Sequence, residues 1–306
     1  MTLPPFRPRS ATEIVDAAIQ LGRRHYAPLV TLGALVAVPG LVLGLVVVWL
    51  MPQPAQVNAD LGAAAGDMGL ALLVSLVSMC WLFVGFGALV SSAATAYVEG
   101  RALEPMDALR RALRRAGTLI GAHLAASLLI ALVVGAGLLA LGIVAGLVVA
   151  GMGIATGGAP RGPTAAAIGI IAGVVTVAGM SIGGLFAWAR FANVTAVVML
   201  EGSGAFAALG RSNALVRGHS WRVIGVVGMM MVLYVVTYLS MWALGFLFVR
   251  SAEISGNIAG VLVVAVYPFM GSLLALLYYD LRIRREGFDL ELMARALESA
   301  PAEATV

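Results

Sequence analysis

The sequence contains no lysine, one cysteine and three histidines, and only 11% of its residues are charged. A single cysteine, Cys80, excludes an internal disulfide, and so few cysteines and histidines predict no metal site. The sequence also lacks a Ser/His/Asp set, an HExxH motif and a paired-carboxylate spacing, so it predicts no catalytic residues. We therefore expect neither a cofactor nor a bound metal.

Apolar residues make up 61% of the chain, and the mean hydropathy is +1.00. Soluble domains are about 45–50% apolar and about 25% charged, so a water-soluble fold could not cover this much apolar surface. The pI of 9.6 does not indicate nucleic acid, because the basic residues alternate with segments too apolar to face water. The composition predicts an all-α, polytopic integral membrane protein whose main partner is the lipid bilayer.

The 19 basic residues are all arginine, and 16 of them fall in four short clusters between long uncharged segments. Basic loops of membrane proteins stay on the cytoplasmic side. The pattern therefore predicts that both termini and all four clusters are cytoplasmic. The clusters are Arg7/Arg9/Arg23/Arg24, Arg101/Arg110/Arg111/Arg114/Arg115, Arg211/Arg217/Arg222 and Arg282/Arg284/Arg285/Arg295.

Six segments are apolar over about 20 residues or more, which is the length that crosses a bilayer. Residues 118–159 carry no charge and could instead hold two tight spans, but a seventh span would place Arg211, Arg217 and Arg222 outside, against the charge pattern. We therefore expect six spans, with long third and fourth helices that protrude on the outer side. The predicted spans are 27–50, 68–97, one from near 118, one ending near 200, 221–249 and 258–280, with a glycine-rich turn at 151–163.

The chain reads as one integral membrane domain, residues 1–306, built from three similar units. Each unit is a basic amphipathic stretch followed by two spans, at about 10–100, 101–202 and 203–286, and a last amphipathic helix is expected at about 287–299. A Glu-Gly pair recurs at Glu99, Glu201 and Glu286. The alternative is that basic helices recur at span ends without a true repeat. Repeats in membrane folds often place a site between units.

Residues 104–117 are typical of an amphipathic helix, with Pro105 at its first position and an apolar stripe of Met106, Leu109 and Leu113. Its arginines repel one another at four-residue spacing, whereas anionic headgroups stabilise basic residues by about 1 kcal/mol each. The helix either lies flat in the interface or recognises a specific headgroup. The predicted anionic-lipid contacts are Arg110, Arg111, Arg114, Arg115, Arg217, Arg222, Arg282, Arg284 and Arg285.

Arg190 interrupts the fourth span, roughly 15 Å from its end if the helix is continuous. An intramembrane arginine costs at least about 2.5–3.5 kcal/mol unless it pairs or snorkels. Asn193, one turn on, could share its polar face, and Glu99, Glu201 and Asp280 end spans on the same side as candidate partners. Arg190 either holds helices together or snorkels, or it forms a positive pocket for a phosphate or carboxylate ligand.

We expect the three histidines to have structural roles in the membrane and not to transfer protons. His25 and His219 each begin a span just after a basic cluster, so we expect them at the membrane interface. His123 lies one turn into the third span, where we expect a polar contact between helices.

Three motifs carry a resemblance to a known family: RPRSATEIVDAAIQLGRRHY at 7–26, ALGRSNALVRGHSWR at 208–222 and YYDLRIRREGFDLE at 278–291. They resemble bacterial proteins described as glycerophosphoryl diester phosphodiesterase membrane-domain proteins. In some relatives a catalytic barrel is fused to this domain, but such a barrel needs roughly 250 residues, and its acid, base and metal-ligand residues have no counterpart here. The resemblance therefore implies a six-helix module of the bacterial inner membrane, without the phosphodiesterase reaction.

Three functional hypotheses follow from the sequence. The first is a non-enzymatic membrane module, a scaffold, anchor or regulator, that associates with anionic phospholipid headgroups and works with a protein partner or as a homo-oligomer. The second is a transporter or flippase for an anionic or lipid-like solute, with Arg190 in its site. The third is a lipid-modifying enzyme that uses Glu99, Glu201, Asp280 and His219 at the cytoplasmic face.

Overall fold

The described part of the protein is built almost entirely from helices. The computed structural model describes residues 8–50, 61–156, 163–288 and 290, and no strand occurs in these ranges. The prediction of an all-α fold is confirmed. The helices are α1 Ala11–Arg24, α2 Tyr26–Leu50, α3 Leu61–Glu99, α4 Pro105–Arg114, α5 Ala116–Thr156, α6 Pro163–Phe191, α7 Val194–Ala196 with a π-helix Val197–Glu201, α8 Ala205–Val216, α9 Ser220–Val249, α10 Ala252–Leu262 with a 3₁₀ turn Val263–Val266, and α11 Tyr267–Glu286.

Six helical segments of the described chain are long and apolar enough to cross a membrane, as predicted. α5 is continuous from Ala116 to Thr156, so the alternative of two spans within 118–156 is wrong. The predicted turn at 151–163 is also shorter, since α5 continues to Thr156, and residues 157–162 lie outside the described residues. The spans are Tyr26–Leu43, Met68–Glu99, Ala116–Gly151, Gly173–Glu201, Ser220–Val249 and Ile254–Glu286.

The length of α5 exceeds what the hydrocarbon layer needs. Its 41 residues extend roughly 60 Å, about twice the thickness of the hydrocarbon core. The start of α5 is buried at Leu119, Ala122 and Ala126, but no described side chain from Ser127 to Gly151 is buried. α5 therefore tilts strongly or extends past the hydrocarbon. Its apolar surface suits contact with lipid more than contact with other helices.

Three short helices, α1, α4 and α8, each precede a span and join it within three residues. α1 begins with a capping box, in which the Ser10 hydroxyl accepts the Glu13 N–H at 3.2 Å and the Glu13 carboxylate accepts the Ser10 N–H at 2.7 Å. α4 begins at Pro105, where the missing N–H breaks no helical hydrogen bond. An amphipathic helix followed by two spans thus occurs three times in the structure. The limits of the proposed repeat units stay a prediction, and most of the helix expected at 287–299 lies outside the described residues.

The apolar stripe predicted for α4 is only partly right. Leu109 is buried, but Met106 and Leu113 are 49% and 46% exposed. The helix packs on the protein through small residues next to Leu109, namely Ala108 and Ala112. Small side chains bring the α4 backbone close to the spans, which turns the larger apolar side chains outward.

Each Glu-Gly pair ends a span with a left-handed glycine. Gly100 and Gly202 have φ of 75°, and Gly287 has φ of 63°. The Gly100 N–H donates to the Ala96 carbonyl at 3.1 Å, and the Gly287 N–H donates to the Ile283 carbonyl at 3.0 Å. Glycine adopts this conformation without the steric cost of a side chain, which is why it ends so many helices. The recurring pair is therefore a helix stop that places the preceding glutamate at the span end.

α11 is the central helix of the bundle. Thirteen of its 20 residues are buried. It packs against α1, α3 and α2, and Leu273, Leu277, Tyr278 and Leu281 are almost fully buried. The break before α11 falls at the 3₁₀ turn, next to Pro268, which cannot donate a helical hydrogen bond. This burial brings the polar end of α11 into the middle of one side of the bundle.

Candidate functional site

One side of the bundle carries the span ends at Glu99, Glu201 and Glu286 and the three amphipathic helices; we call it the basic face. Asp280 lies at its centre and is only 3% exposed. Its Oδ2 accepts the Nε–H of Arg222 and of Arg284, each at 3.0 Å.

The same carboxylate also fastens the N-terminal segment. Asp280 Oδ1 accepts the backbone N–H of Arg9 at 2.9 Å. Arg284 donates to the Arg9 carbonyl at 2.7 Å, and Arg222 donates to that carbonyl as well. One buried carboxylate thus joins the segment before α1 to α9 and α11. A carboxylate that accepts from two guanidinium groups and an amide is a structural anchor.

A second ionic cluster surrounds Arg211 on α8. Its Nε–H donates to both carboxylate oxygens of Glu201, at 3.0 and 3.1 Å, and its guanidinium also binds Glu286. These hydrogen bonds, to Glu286 first and then to Glu201, raise the pKa of Arg211 above its usual value. Tyr278 donates to Glu201 at 2.9 Å, and Glu286 accepts from Arg282 at 3.0 Å. The cluster binds α8 to the ends of the fourth and sixth spans.

Three arginines converge on a cavity at the junction of α4 and α5. Arg111, Arg114 and Arg115 line a space of about 550 Å³, which we call the arginine pocket. No carboxylate is among its described lining residues, and among the described residues neither Arg111 nor Arg114 has a hydrogen-bond or ion-pair partner. The other lining residues are Ser91, Thr95, Thr118, Met199 and Leu200.

Gly202 makes room for one of these guanidinium groups. Arg115 reaches across to the end of the fourth span and donates to the Val198 carbonyl at 3.4 Å. A Cβ atom on Gly202 would lie 2.9 Å from Nη2 of Arg115. Any other residue at position 202 would therefore displace the Arg115 side chain in addition to straining the backbone. The Glu-Gly motif at 201–202 thus also shapes the arginine pocket.

The chemistry of the arginine pocket suits a phosphate group. Guanidinium groups bind phosphate through paired N–H donors. The hydroxyls of Ser91 and Thr95 already donate to backbone carbonyls, at 2.9 and 3.0 Å, so the arginines would supply the donors. Arg110 is not among the described lining residues of the pocket, and it pairs with Asp107 at 3.5 Å.

The nine arginines predicted to contact anionic lipid fall into two groups, those that line the pocket or are exposed and those that bind protein groups. Arg111, Arg114 and Arg115 line the pocket, and Arg217 is exposed at the end of α8. The other five bind protein groups: Arg110 binds Asp107, Arg222 and Arg284 bind Asp280, Arg282 binds Glu286, and Arg285 donates to the Ala214 carbonyl at 3.0 and 3.2 Å.

The partners expected for Arg190 are wrong. Its Nη1 donates to Asn213 of α8 at 2.9 Å, and its backbone carbonyl accepts the Ser212 hydroxyl at 2.8 Å. Asn193 is only 1% exposed, and no described residue hydrogen-bonds to its side-chain amide. The reason is a break in the fourth span: α6 ends at Phe191, so the one-turn spacing between the two residues does not hold.

The carboxylates expected near Arg190 are engaged elsewhere. Glu201 and Asp280 bind the arginines described above, and Glu99 pairs with Arg101 at 3.1 Å with both side chains largely exposed. The structure therefore does not bring Glu99, Glu201 and Asp280 together into an acid–base site.

His123 makes the predicted contact between helices. Its Nε2 lies 3.0 Å from the Thr195 hydroxyl and its Nδ1 lies 2.8 Å from the Leu119 carbonyl. A carbonyl can only accept, so Nδ1 carries the proton and a neutral ring accepts from Thr195 at Nε2. The ring also stacks on Phe83, with centroids 4.2 Å apart. This contact joins α5 to the segment that follows the break in the fourth span.

Sequence reasoning missed the bridging role of Arg211 and the contact between Arg190 and Asn213. Arg211 and Asn213 lie in the motif at 208–222, in which the sequence predicted lipid contacts for Arg217 and Arg222. Comparisons with models of known protein families, with curated proteins and with solved structures found no match to this chain.

Proposed function

We propose that this protein is a non-enzymatic membrane module, acting as a scaffold, anchor or regulator, that binds anionic phospholipid headgroups at the arginine pocket. The observation that carries the proposal is the convergence of Arg111, Arg114 and Arg115 on one cavity without a carboxylate in its described lining. Three positive charges with no carboxylate in the described lining favour a polyanionic ligand, and a phosphate group is the anion that membranes present at this depth.

The outward side chains of α4 support a ligand that belongs to the membrane. Met106 and Leu113 are half-exposed on the helix that supplies two of the pocket arginines. An amphipathic helix with exposed apolar side chains and arginines lies in the membrane interface, with the arginines at headgroup level. A soluble anion would need no such apolar surface beside its site.

Orientation and location are part of this proposal. The 16 clustered arginines support cytoplasmic termini and a cytoplasmic basic face, and the three resembling motifs support a place in the glycerophosphoryl diester phosphodiesterase membrane-domain family of bacterial inner membranes. A scaffold or regulator also needs a partner, which here is another protein or a second copy of this chain.

The test is native mass spectrometry of the purified protein with phosphatidylglycerol and, separately, phosphatidylcholine. The wild type should retain phosphatidylglycerol in preference. The variant Arg111→Gln/Arg114→Gln/Arg115→Gln should lose at least tenfold in that retention. The control Arg23→Gln/Arg24→Gln/Arg101→Gln removes the same charge from exposed positions of the basic face and should retain the lipid. Equal retention of both lipids by the wild type, or wild-type retention by the pocket variant, would refute the proposal.

A transporter or flippase with Arg190 in its site is the second candidate. The observation that favours it is the break in the fourth span at Ala192–Asn193, followed by a π-helix, directly after Arg190. Transporters often form their sites at interrupted membrane helices. Reconstituted protein that moves a labelled anionic lipid between leaflets, with the movement lost in Arg190→Gln, would support transport; an unchanged rate of lipid movement on reconstitution would exclude it.

A further inference from the structure

A second cavity lies between α5, α6 and α8 and shares no lining residue with the arginine pocket. We call it the α8 cavity. Its volume is about 530 Å³, within the range of small-molecule sites. Most of its wall is apolar, formed by residues such as Leu129, Val133, Phe186 and Leu209, and its polar groups are Arg190 and Asn213.

The polar end of the α8 cavity carries the positive charge of Arg190. Arg190 is exposed, and Asn213, to which it donates, is a neutral amide. No carboxylate is among the described lining residues of this cavity. The Ser212 hydroxyl donates to the Arg190 backbone carbonyl at 2.8 Å, which holds this part of α6 against α8 at the end of the apolar wall. A cation in this position favours a ligand with one anionic group.

The apolar end is open on the side of the spans that faces lipid. Leu129 and Val133 are 43% and 55% exposed, although both line the cavity. A methylene group takes up about as much space as a water molecule in the liquid, roughly 30 Å³. The cavity therefore has room for one chain of roughly 15 carbon atoms.

We propose that the α8 cavity holds one hydrocarbon chain of a membrane amphiphile whose anionic phosphate or carboxylate group binds Arg190. The site goes beyond the proposed function, because it uses other residues and needs no transport. The membrane is the source of the ligand, since the chain enters from the lipid-facing side. The same helix carries Asn213 beside the ligand and Arg211 in the ionic cluster of the basic face.

The experiment is native mass spectrometry in the Arg111→Gln/Arg114→Gln/Arg115→Gln background, which removes the other proposed lipid site. The probes are lysophosphatidate, the monoacylglycerol with the same chain, and glycerol phosphate without a chain. We expect lysophosphatidate to bind at least tenfold more tightly than either of the others. Equal binding of lysophosphatidate and monoacylglycerol would overturn the role of Arg190, and equal binding of glycerol phosphate would overturn the role of the chain.

Two substitutions in α6 locate the ligand. Gly183 lines the α8 cavity, and a Cβ atom there would meet no atom within 4 Å, so Gly183→Leu fills the cavity without a backbone clash. Gly173 lies on the same helix with equally open surroundings, outside the cavity lining, and Gly173→Leu is the matched control. Lysophosphatidate binding should fall at least tenfold in Gly183→Leu and stay unchanged in Gly173→Leu. Equal binding by the two variants would refute the site.

A third variant tests the charge. Arg190→Gln should bind lysophosphatidate no better than monoacylglycerol while keeping the monoacylglycerol affinity of its background. Retained preference for lysophosphatidate in this variant would overturn the assignment of the anionic group to Arg190.

Discussion

Asp280 and Arg222 are 58 residues apart in sequence, yet Oδ2 of the aspartate lies 3.0 Å from Nε of the arginine. Their side chains are 3% and 19% exposed. The pair joins the end of the last span to the start of the fifth, and Arg284 and the Arg9 backbone complete it. Arg222 and Arg284 therefore stabilise the basic face through contacts with protein groups and not with lipid.

Asp280→Asn should destabilise the protein by about 3 kcal/mol, because removing one partner leaves two partly buried guanidinium groups without their counter-ion. The measurement is thermal unfolding of the detergent-purified protein. Asp107→Asn is the matched control, since it breaks an exposed pair with Arg110 and such pairs contribute little. Similar melting temperatures for the two variants would contradict the anchoring role of Asp280.

Asn193→Leu should stabilise the protein. The amide of Asn193 is buried without a hydrogen-bond partner among the described residues, and such a group costs about 1–3 kcal/mol. Leucine has a similar volume and no polar atoms, so the penalty disappears. Asn213→Leu, which removes the acceptor of Arg190, should lower the melting temperature instead. A loss of stability in Asn193→Leu would mean that the amide has a bonding partner in the membrane.

The free energy of unfolding should decrease as the pH is lowered below about 6.5, because of His25. Burial, and then the charge of Arg24, lower the pKa of His25 from its ordinary value of 6.5. As the pH falls through 6.5, the unfolded chain takes up the proton before the folded chain does, so folding becomes less favourable; below the folded-state pKa the loss stops growing. Unfolding of wild type and His25→Asn should be compared from about pH 7.5 to about pH 5. The variant should lose less stability than the wild type across this range, and parallel curves would rule out His25 as the cause.

Labelling of single cysteines should show the orientation of the basic face. In a Cys80→Ala background, Glu104→Cys lies between α3 and α4 on the basic face, and Ser251→Cys lies between α9 and α10 at the opposite end of the spans. A membrane-impermeant maleimide added to intact cells should label position 251 and reach position 104 only after lysis. The reverse labelling would place the arginine clusters outside the cell and overturn the proposed topology.

The spans were predictable because hydrocarbon thickness dictates the length of each apolar segment. The fifth span was expected at 221–249 and occurs at Ser220–Val249, and the third was expected from near 118 and begins at Ala116. The charge pattern also selected one long helix over two in the third span, which α5 confirms over its described length. Such features depend on local composition alone, so one sequence is enough to predict them.

The partners of the charged side chains depend on contacts between distant segments. The one-turn argument for Arg190 and Asn193 assumed a continuous helix, but no glycine or proline marks the break between Phe191 and Val194. Asn193 itself was the available signal, because asparagine favours turns. The bridge from Arg211 to Glu286 joins two segments that no local pattern relates. Only the packing of α8 beside α11 brings these two side chains together.

The position of α11 has a consequence for biosynthesis. This helix belongs to the sixth of the six spans in the described sequence. Even so, α1, α2 and α3 all pack against it. Chains emerge from the ribosome N-terminal end first, so α1, α2, α3 and α9 are made before α11, against which all four pack. Until α11 arrives, the N-terminal segment has no Asp280 to bind, and the nascent bundle is open at its centre. We expect membrane proteases and insertion chaperones to bind the nascent protein most readily just before its sixth span is inserted.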